Sequence, residues 1–310
     1  MPDSDSEAQE KLRALFRKIV LNDTLLRVLD GASDPSDNDD KDFFNLCKIF
    51  VKYQKRFYDN IPGLSFEDEG FLIGSPWHGE PLKAKVLFVG SNPNLTRRCW
   101  FPRFHKEDGS FTGSFTLGGR KASEYVAVPG SRVKLKNSID ISEAQEFLTQ
   151  RFQTTKINKK NGYLNAWLVK KDGKSLAGKP GGVSYWRGLY SEMKKFLHDN
   201  GPDNEAHARE IMAEVLSAEV VPFGSVDENP LSEPVLRKKG IEDRDKLLAY
   251  CWGEFIVPLI EYSAVETVYL VGAIAKRACK EYQRKNSKYV HVNKSGKKIE
   301  FVKIGHLSVH

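Results

Sequence analysis

Hydrophobic residues near the start of the chain recur with the spacing of an amphipathic helix. Within residues 7–29, one apolar face is formed by Leu12, Leu15, Phe16, Ile19 and Val20. This 3.6-residue period predicts one or two helices that pack on another part of the protein. Residues 31–41 are acidic and rich in turn-forming residues, so they predict an exposed connection.

A second helical pattern begins at Asp42, whose carboxylate is suited to capping a helix amino terminus. Its apolar stripe comprises Phe44, Cys47, Phe50, Val51 and either Tyr53 or Gln54. Such a stripe is more typical of a core-facing surface than of a ligand site. We therefore interpret residues 1–75 as a helical amino-terminal extension.

The remainder, residues 76–310, alternates short continuous apolar runs with helical patterns. The runs predict strands beginning near Lys83 and at Ala218–Phe223, Thr267–Val271 and Glu300–Ile304, and helical patterns begin at Ser184, Arg244 and Ala273. Uninterrupted apolar strands separated by helices indicate a parallel sheet that is covered on both faces. We predict an α/β fold with three αβα layers around a mostly parallel four-stranded sheet. Residues 97–182 lack periodicity and predict a loop-rich insertion.

Composition adds limited information about partners and location. The 310 residues are 40% hydrophobic and carry a formal net charge of +7, which weakly favours an anionic partner. No apolar run is long enough to span a bilayer, and the acidic start is unlike a signal peptide, so we expect a cytoplasmic protein, with a monomer as the simplest state. The four cysteines do not have metal-ligand spacing, and we expect no metal or cofactor.

The first strand runs directly into the sequence Gly90-Ser91-Asn92-Pro93-Asn94. Glycine permits a tight turn and Pro93 fixes the backbone, so the amide of Asn92 is held at the sheet edge. Taken alone, this sequence fits a structural turn as well as a site. The last strand runs into His306-Leu307-Ser308, which offers an imidazole and a hydroxyl at another strand end.

Taken together, the order of these motifs resembles the uracil-DNA glycosylase superfamily. Gly90–Asn94 is similar to the Gly-x-Asn-Pro motif of the mismatch-specific and single-strand-selective branches, and His306-Leu307-Ser308 is similar to His-Pro-Ser. Leu307 stands where the family has proline. Between these motifs lie a strand that ends near Phe223 and a strand that enters a helix through Gly272. The resemblance spans about residues 83–310.

The resemblance implies a monofunctional DNA glycosylase that flips a base out of DNA and leaves an abasic site. Asn92 would position the attacking water, and His306 would stabilise charge on the departing base. The expected substrate-binding residues are Gly90, Ser91, Pro93, Asn94, Phe101, Phe223, Ser225 and Ser308. The expected DNA-binding residues are Arg97, Arg98, Arg103, Arg120 and Lys121.

The residue after the motif's proline bears on which base is removed. Uracil-specific relatives carry a bulky tyrosine there, whereas this chain has Asn94, so we favour a modified pyrimidine over uracil. A bulky phage-type cytosine would suit an open pocket and would indicate antiviral defence. The alternative is a glycosylase-like module that binds nucleic acid or a nucleotide without cleavage. An α/β hydrolase is not favoured, because the chain lacks the GxSxG motif.

Overall fold

A computed structural model gives the arrangement of the strands and of most of the helices. The structure describes residues 4–20, 22–29, 31, 33, 35, 38–59, 66, 71–73, 77–91, 131–133, 192–201, 207, 210, 211, 213–225, 230–287 and 290–305. All structural statements below concern these residues.

The centre of the fold is a sheet of four parallel strands with one short antiparallel edge strand. Its members are β2 (Trp77–His78), β3 (Val86–Gly90), β5 (Val215–Glu219), β6 (Thr267–Val271) and β7 (Glu300–Ile304). They lie in the order β2-β5-β3-β6-β7, and only the β2–β5 pairing is antiparallel. A separate two-stranded ribbon pairs β1 (Phe71–Ile73) with β4 (Ser131–Val133). The α/β class is thereby confirmed.

Two strand predictions are confirmed to the residue and a third needs correction. β6 and β7 have the predicted bounds, and β3 begins just beyond Lys83. The predicted strand Ala218–Phe223 is wrong in position, because β5 is Val215–Glu219. Polar Ser217 and Glu219 interrupt the apolar pattern of the real strand, whereas the apolar residues after it belong to a loop that packs in the core.

Three helices open the chain: α1 (Ser4–Val20), α2 (Asp23–Leu29) and α3 (Asn38–Asp59). The predicted start of α3 at Asp42 is wrong, since the helix begins at Asn38. Three consecutive residues with short polar side chains, Asn38-Asp39-Asp40, precede Asp42, and residues of this type favour a helix amino terminus.

These helices share one hydrophobic core with the sheet. Phe16 of α1 meets Trp77 edge to face at a centroid distance of 5.3 Å. Phe43 and Phe50 of α3 are fully buried in the cluster that also holds Leu87 of β3. The apolar stripe of α3 is therefore a core surface, as expected.

The carboxyl-terminal half supplies the remaining named helices. They are α4 (Glu233–Arg237), α5 (Arg244–Cys251), α6 (Val257–Glu261) and α7 (Gly272–Lys285), with a π-helical segment, Trp252–Ile256, joining α5 to α6. Asp243 caps α5 by accepting a hydrogen bond from the Lys246 backbone amide at 2.8 Å. Residues 192–196 are also helical, which agrees with part of the pattern that begins at Ser184. None of the helices in the described part of the chain is long and apolar enough to span a membrane.

The two faces of the sheet have different surroundings. Leu87 and Val89 of β3 point into the main hydrophobic cluster, which also includes residues of α1, α3, α5 and α7. Alternation along the strand places Phe88 and Gly90 on the other face. There Phe88 stacks on Tyr269 of β6 at 4.8 Å, and Phe196 meets Tyr269 edge to face. We call this second surface the Phe88 face.

Candidate active site at the carboxyl edge of the sheet

The strand order changes direction at β3. From β3 the chain passes to β5 on one side of that strand, and it later returns to β6 on the other side. In open parallel sheets, ligands bind outside the carboxyl ends of the strands where the order reverses in this way. Gly90 and Ser91 leave β3 at this point, and Gly272 leaves β6 beside it.

The backbone of Gly90 and Ser91 is fixed by the chain that follows β5. The Val220 amide donates to the Gly90 carbonyl at 3.1 Å, and the Val221 amide donates to the Ser91 carbonyl at 3.0 Å. These two hydrogen bonds lie beyond the end of the β3–β5 ladder. They hold Gly90 and Ser91 against the segment that follows β5.

Gly90 has a different role from the one that its sequence context suggests. Gly90 lies opposite Glu219 in the β3–β5 register. A Cβ on Gly90 would lie 2.8 Å from Cδ of Glu219 and 2.9 Å from its Oε1, and closer still to Oε2. These distances are below van der Waals contact, so glycine at position 90 makes room for a carboxyl group. A tight turn with unusual backbone angles is not the reason for it.

The carboxyl group of Glu219 is buried at the edge where we expect the active site. Parts of the residue are exposed, but Oε2 is buried and has no hydrogen-bond partner among the described residues. Burial, which penalises the charged form, raises the pKa of Glu219 from 4.5 to about 8. Glu219 therefore holds a proton at neutral pH, and it combines a hydrogen-bond donor with an acceptor.

A second polar group lies on the same face of the sheet. Tyr269 of β6 is largely buried, and its pKa is raised by burial and, to a smaller extent, by Glu192 and Glu300. Its ring stacks on Phe88, two residues before Gly90. The Phe88 face thus carries buried aromatic side chains on the same side of the sheet as the carboxyl group of Glu219.

α7 begins where β6 ends, and this junction needs a glycine. Gly272 has φ +77°, a left-handed conformation that side chains disfavour, and a Cβ there would meet nothing within 4 Å. The preceding Val271 provides no side-chain cap. The predicted passage of a strand through Gly272 into a helix is confirmed.

Phe223 does not occupy the position that base stacking requires. It is fully buried, and its ring lies 5.5 Å from Phe50, 5.6 Å from Phe71 and 6.1 Å from Phe43. Truncating a buried phenylalanine costs about 3–5 kcal/mol, whereas one base stack contributes about 1–3 kcal/mol. Moving Phe223 out of the core would therefore cost more free energy than stacking on a base would contribute. We assign Phe223 to the core, and this corrects its predicted role.

Ser225 is also interior rather than presented to a ligand. It is 6% exposed, and the adjacent Gly224 carbonyl accepts a hydrogen bond of 3.1 Å from Nε2 of buried Gln54 in α3. The loop after β5 is thereby attached to the amino-terminal helices. Nothing in the sequence of the loop indicates this attachment.

Most of the other predicted site residues lie outside the described part of the chain. These are Asn92, Pro93, Asn94, Arg97, Arg98, Phe101, Arg103, Arg120, Lys121, His306 and Ser308. The structure does bring together the strand ends from which several of them follow. Ser91 follows β3 directly, and Gly305 precedes His306 after the outer parallel strand β7.

The cysteines in the described part of the chain lie in the core and have a structural role. Cys47, Cys251 and Cys279 are free and buried, and burial raises the pKa of each thiol, that of Cys279 to about 12. A thiol with such a pKa is a poor nucleophile and a poor metal ligand. Over the described ranges, no group of three or more histidine, cysteine, aspartate or glutamate residues has the arrangement of a metal site.

The candidate site is thus the carboxyl edge of the four-stranded parallel sheet, where Gly90 and Glu219 form a close pair. Comparison of the chain with protein-family models, with curated proteins and with solved structures gave no match. Any assignment of function therefore depends on the chemistry of the residues themselves.

Proposed function

We propose that this protein is a monofunctional DNA glycosylase that removes a modified pyrimidine and leaves an abasic site. The fold we propose is the three-layer glycosylase type. The observation that carries the proposal is the position of Gly90–Ser91 at the carboxyl edge, where the order of four parallel strands reverses. The strand ends follow one another along the chain in the order that the sequence motifs require.

The chemistry needs a positioned water and stabilisation of the departing base. Asn92, immediately after Ser91, carries an amide that orients water, and His306 carries a donor for negative charge on the base. The basic residues that follow the motif, beginning with Arg97 and Arg98, would contact phosphates. A bulky modified cytosine suits the small Asn94, and antiviral defence is the setting that such a substrate indicates.

Strand cleavage at abasic sites tests the proposal. Oligonucleotides would carry one uracil, one 5-hydroxymethylcytosine or one glucosylated 5-hydroxymethylcytosine, in single- and double-stranded form, and alkali-labile sites would be quantified. We expect cleavage after incubation with the protein, and a loss of about 100- to 1000-fold in rate for Asn92→Ala and for His306→Ala. The matched controls are Asn200→Ala and His198→Asn, which change exposed residues on the segment that follows the 192–196 helix.

Two results would contradict the proposal. If DNA is bound but no substrate becomes alkali-labile, the protein is a binding module and not an enzyme. If cleavage occurs and neither Asn92→Ala nor His306→Ala slows it relative to the controls, the active site has been assigned to the wrong strand ends.

A further inference from the structure

The carboxyl group of Glu219 is not used by the mechanism above. It is buried at the end of β5, beside Gly90, and Oε2 has no hydrogen-bond partner in the described part of the chain. A buried carboxyl oxygen without a partner is costly to maintain, because its hydrogen bonds to water are lost and not replaced. A catalytic role is one explanation for such an atom, and carboxyl groups whose pKa is shifted by burial are concentrated at functional sites.

The sheet leaves room for the Glu219 carboxyl group beside Gly90. Position 90 has no side chain, and the space where its Cβ would lie is occupied by the Glu219 carboxyl. The carboxyl therefore lies over the β3 backbone on the Phe88 face, directly before Ser91. Gly90 is two residues before Asn92 along the chain.

We propose that Glu219 is the general acid that protonates the departing base, and that the base is consequently of the cytosine type. This inference rests on the glycosylase function proposed above. It adds a catalytic residue that the sequence resemblance does not identify, and it names the class of base.

The proton balance supports cytosine rather than uracil. When the N1–C1′ bond breaks, its electron pair passes to the ring. A uracil ring shares that charge between two carbonyl oxygens, whereas a cytosine ring has one carbonyl oxygen and a basic N3. Glu219 donates its proton to N3 while His306 stabilises the negative charge that develops on O2 before the transfer is complete, and the base leaves as a neutral molecule. Water adds to C1′, and the proton released from it restores the carboxyl group.

Recognition follows from the same protonation state. A neutral carboxyl has one donor and one acceptor, which match N3 and the 4-amino group of cytosine. Uracil carries a hydrogen on N3 and cannot accept a proton there. Burial keeps the pKa of Glu219 at about 8, so the proton is present at neutral pH.

Other titratable groups on this face are few among the described residues. They are Tyr269 on β6, Glu300 on β7 and Glu192 near Tyr269, and His78 of β2 occupies the register position opposite Ser217. Burial alone accounts for the pKa shift of Glu219. We therefore attribute a pH dependence that disappears with Glu219→Gln to Glu219 itself.

The test compares leaving groups that do and do not need a proton. Glu219→Gln would be assayed on DNA containing 5-hydroxymethylcytosine and on DNA containing 5-fluorouracil, whose anion leaves readily. We expect a loss of about 100- to 10,000-fold on hydroxymethylcytosine and less than about tenfold on fluorouracil. DNA binding should be retained. Glu300→Gln makes the same chemical substitution at an exposed residue at the opposite end of the sheet and should match the unmodified protein.

A pH profile of the unmodified protein gives a second readout that does not depend on a variant. The rate on hydroxymethylcytosine should fall about tenfold per pH unit above the pKa of Glu219, which lies at about 8. A rate that stays constant up to pH 9.5 would overturn the assignment.

The variant results separate this inference from the proposed function. Equal losses on both bases, a loss below tenfold on hydroxymethylcytosine, or activity restricted to uracil-type bases would each refute the role of Glu219 while the glycosylase function stands. Absence of abasic sites with every substrate would instead refute the glycosylase function, and the inference with it.

Discussion

Replacing Glu219 by glutamine should stabilise the protein by an amount that grows with pH. The substitution keeps the shape of the side chain and removes its titration. The folded state holds the proton up to a pKa of about 8, whereas the unfolded chain releases it at the ordinary value of 4.5. Between these values the unfolded state binds fewer protons, so the stability of the unmodified protein falls as pH rises.

The size of this effect follows from the width of that window. One pKa unit corresponds to about 1.4 kcal/mol, so two pH units inside the window change the unfolding free energy by about 2–3 kcal/mol. Urea unfolding of both proteins at pH 5.5 and pH 7.5 measures the effect. We expect the advantage of Glu219→Gln over the unmodified protein to increase by that amount between the two conditions.

Only the difference in unfolding free energy between the two proteins is used, so the titration of groups that both proteins share cancels. If the difference in unfolding free energy between the two proteins does not change with pH, the Glu219 carboxyl is ionised and hydrated in the native state. That result would remove the physical basis for a buried acid at the end of β5. Together with the activity test, the expected outcome is a variant that is more stable but has lost its activity on cytosine-type bases.

The other predictions concern the stability effects of two glycines with positive φ and of one buried histidine. Gly79→Ala should destabilise the fold by about 2–4 kcal/mol, because φ is +109° and the new Cβ would lie 3.2 Å from the Val215 carbonyl carbon and closer to its oxygen. Gly240→Ala, with φ +76° and open space, is the control and should cost about 1 kcal/mol in urea unfolding; equal costs would contradict the close approach. His291 is 4% exposed, and burial lowers its pKa from 6.5 to about 4, so it stabilises above pH 6.5 and that contribution is lost as pH falls to 4. The stability advantage of the unmodified protein over His291→Gln should shrink by about 2–3 kcal/mol between pH 7 and pH 4, and thermal melts that show no such change would refute a neutral buried imidazole.

The parallel sheet was predictable because buried strands are recorded in the sequence as continuous apolar runs. β6 shows this pattern along its whole length and matches the structure. β7 also matches its predicted bounds, although Glu300 and Lys303 interrupt its apolar residues at exposed positions. β5 does not, because Ser217 and Glu219 interrupt its apolar residues, and the run that follows belongs to the core instead. β2 has only two residues, which is too short for any period to be visible.

The strand end at Gly90 was predictable from the sequence, whereas its packing against Glu219 was not. The reason for the glycine lies 129 positions away along the chain, at Glu219. A single acidic residue after an apolar run has the sequence pattern of an exposed strand end. Only the β3–β5 register shows that its carboxyl group is buried. Likewise, the burial of Phe223 depends on α3 and β1, which are distant in sequence.

The packing of Glu219 over Gly90 makes the two positions dependent on each other. A chain that keeps the glutamate can accept no side chain at position 90 without displacing the carboxyl group, whereas a chain that loses the glutamate is free of that restriction. In homologous sequences the two residues should therefore be inherited as a pair and replaced together. Sequences with glycine and glutamate at these positions would be expected to act on the same class of base, and paired replacement would mark a change of substrate or a loss of activity.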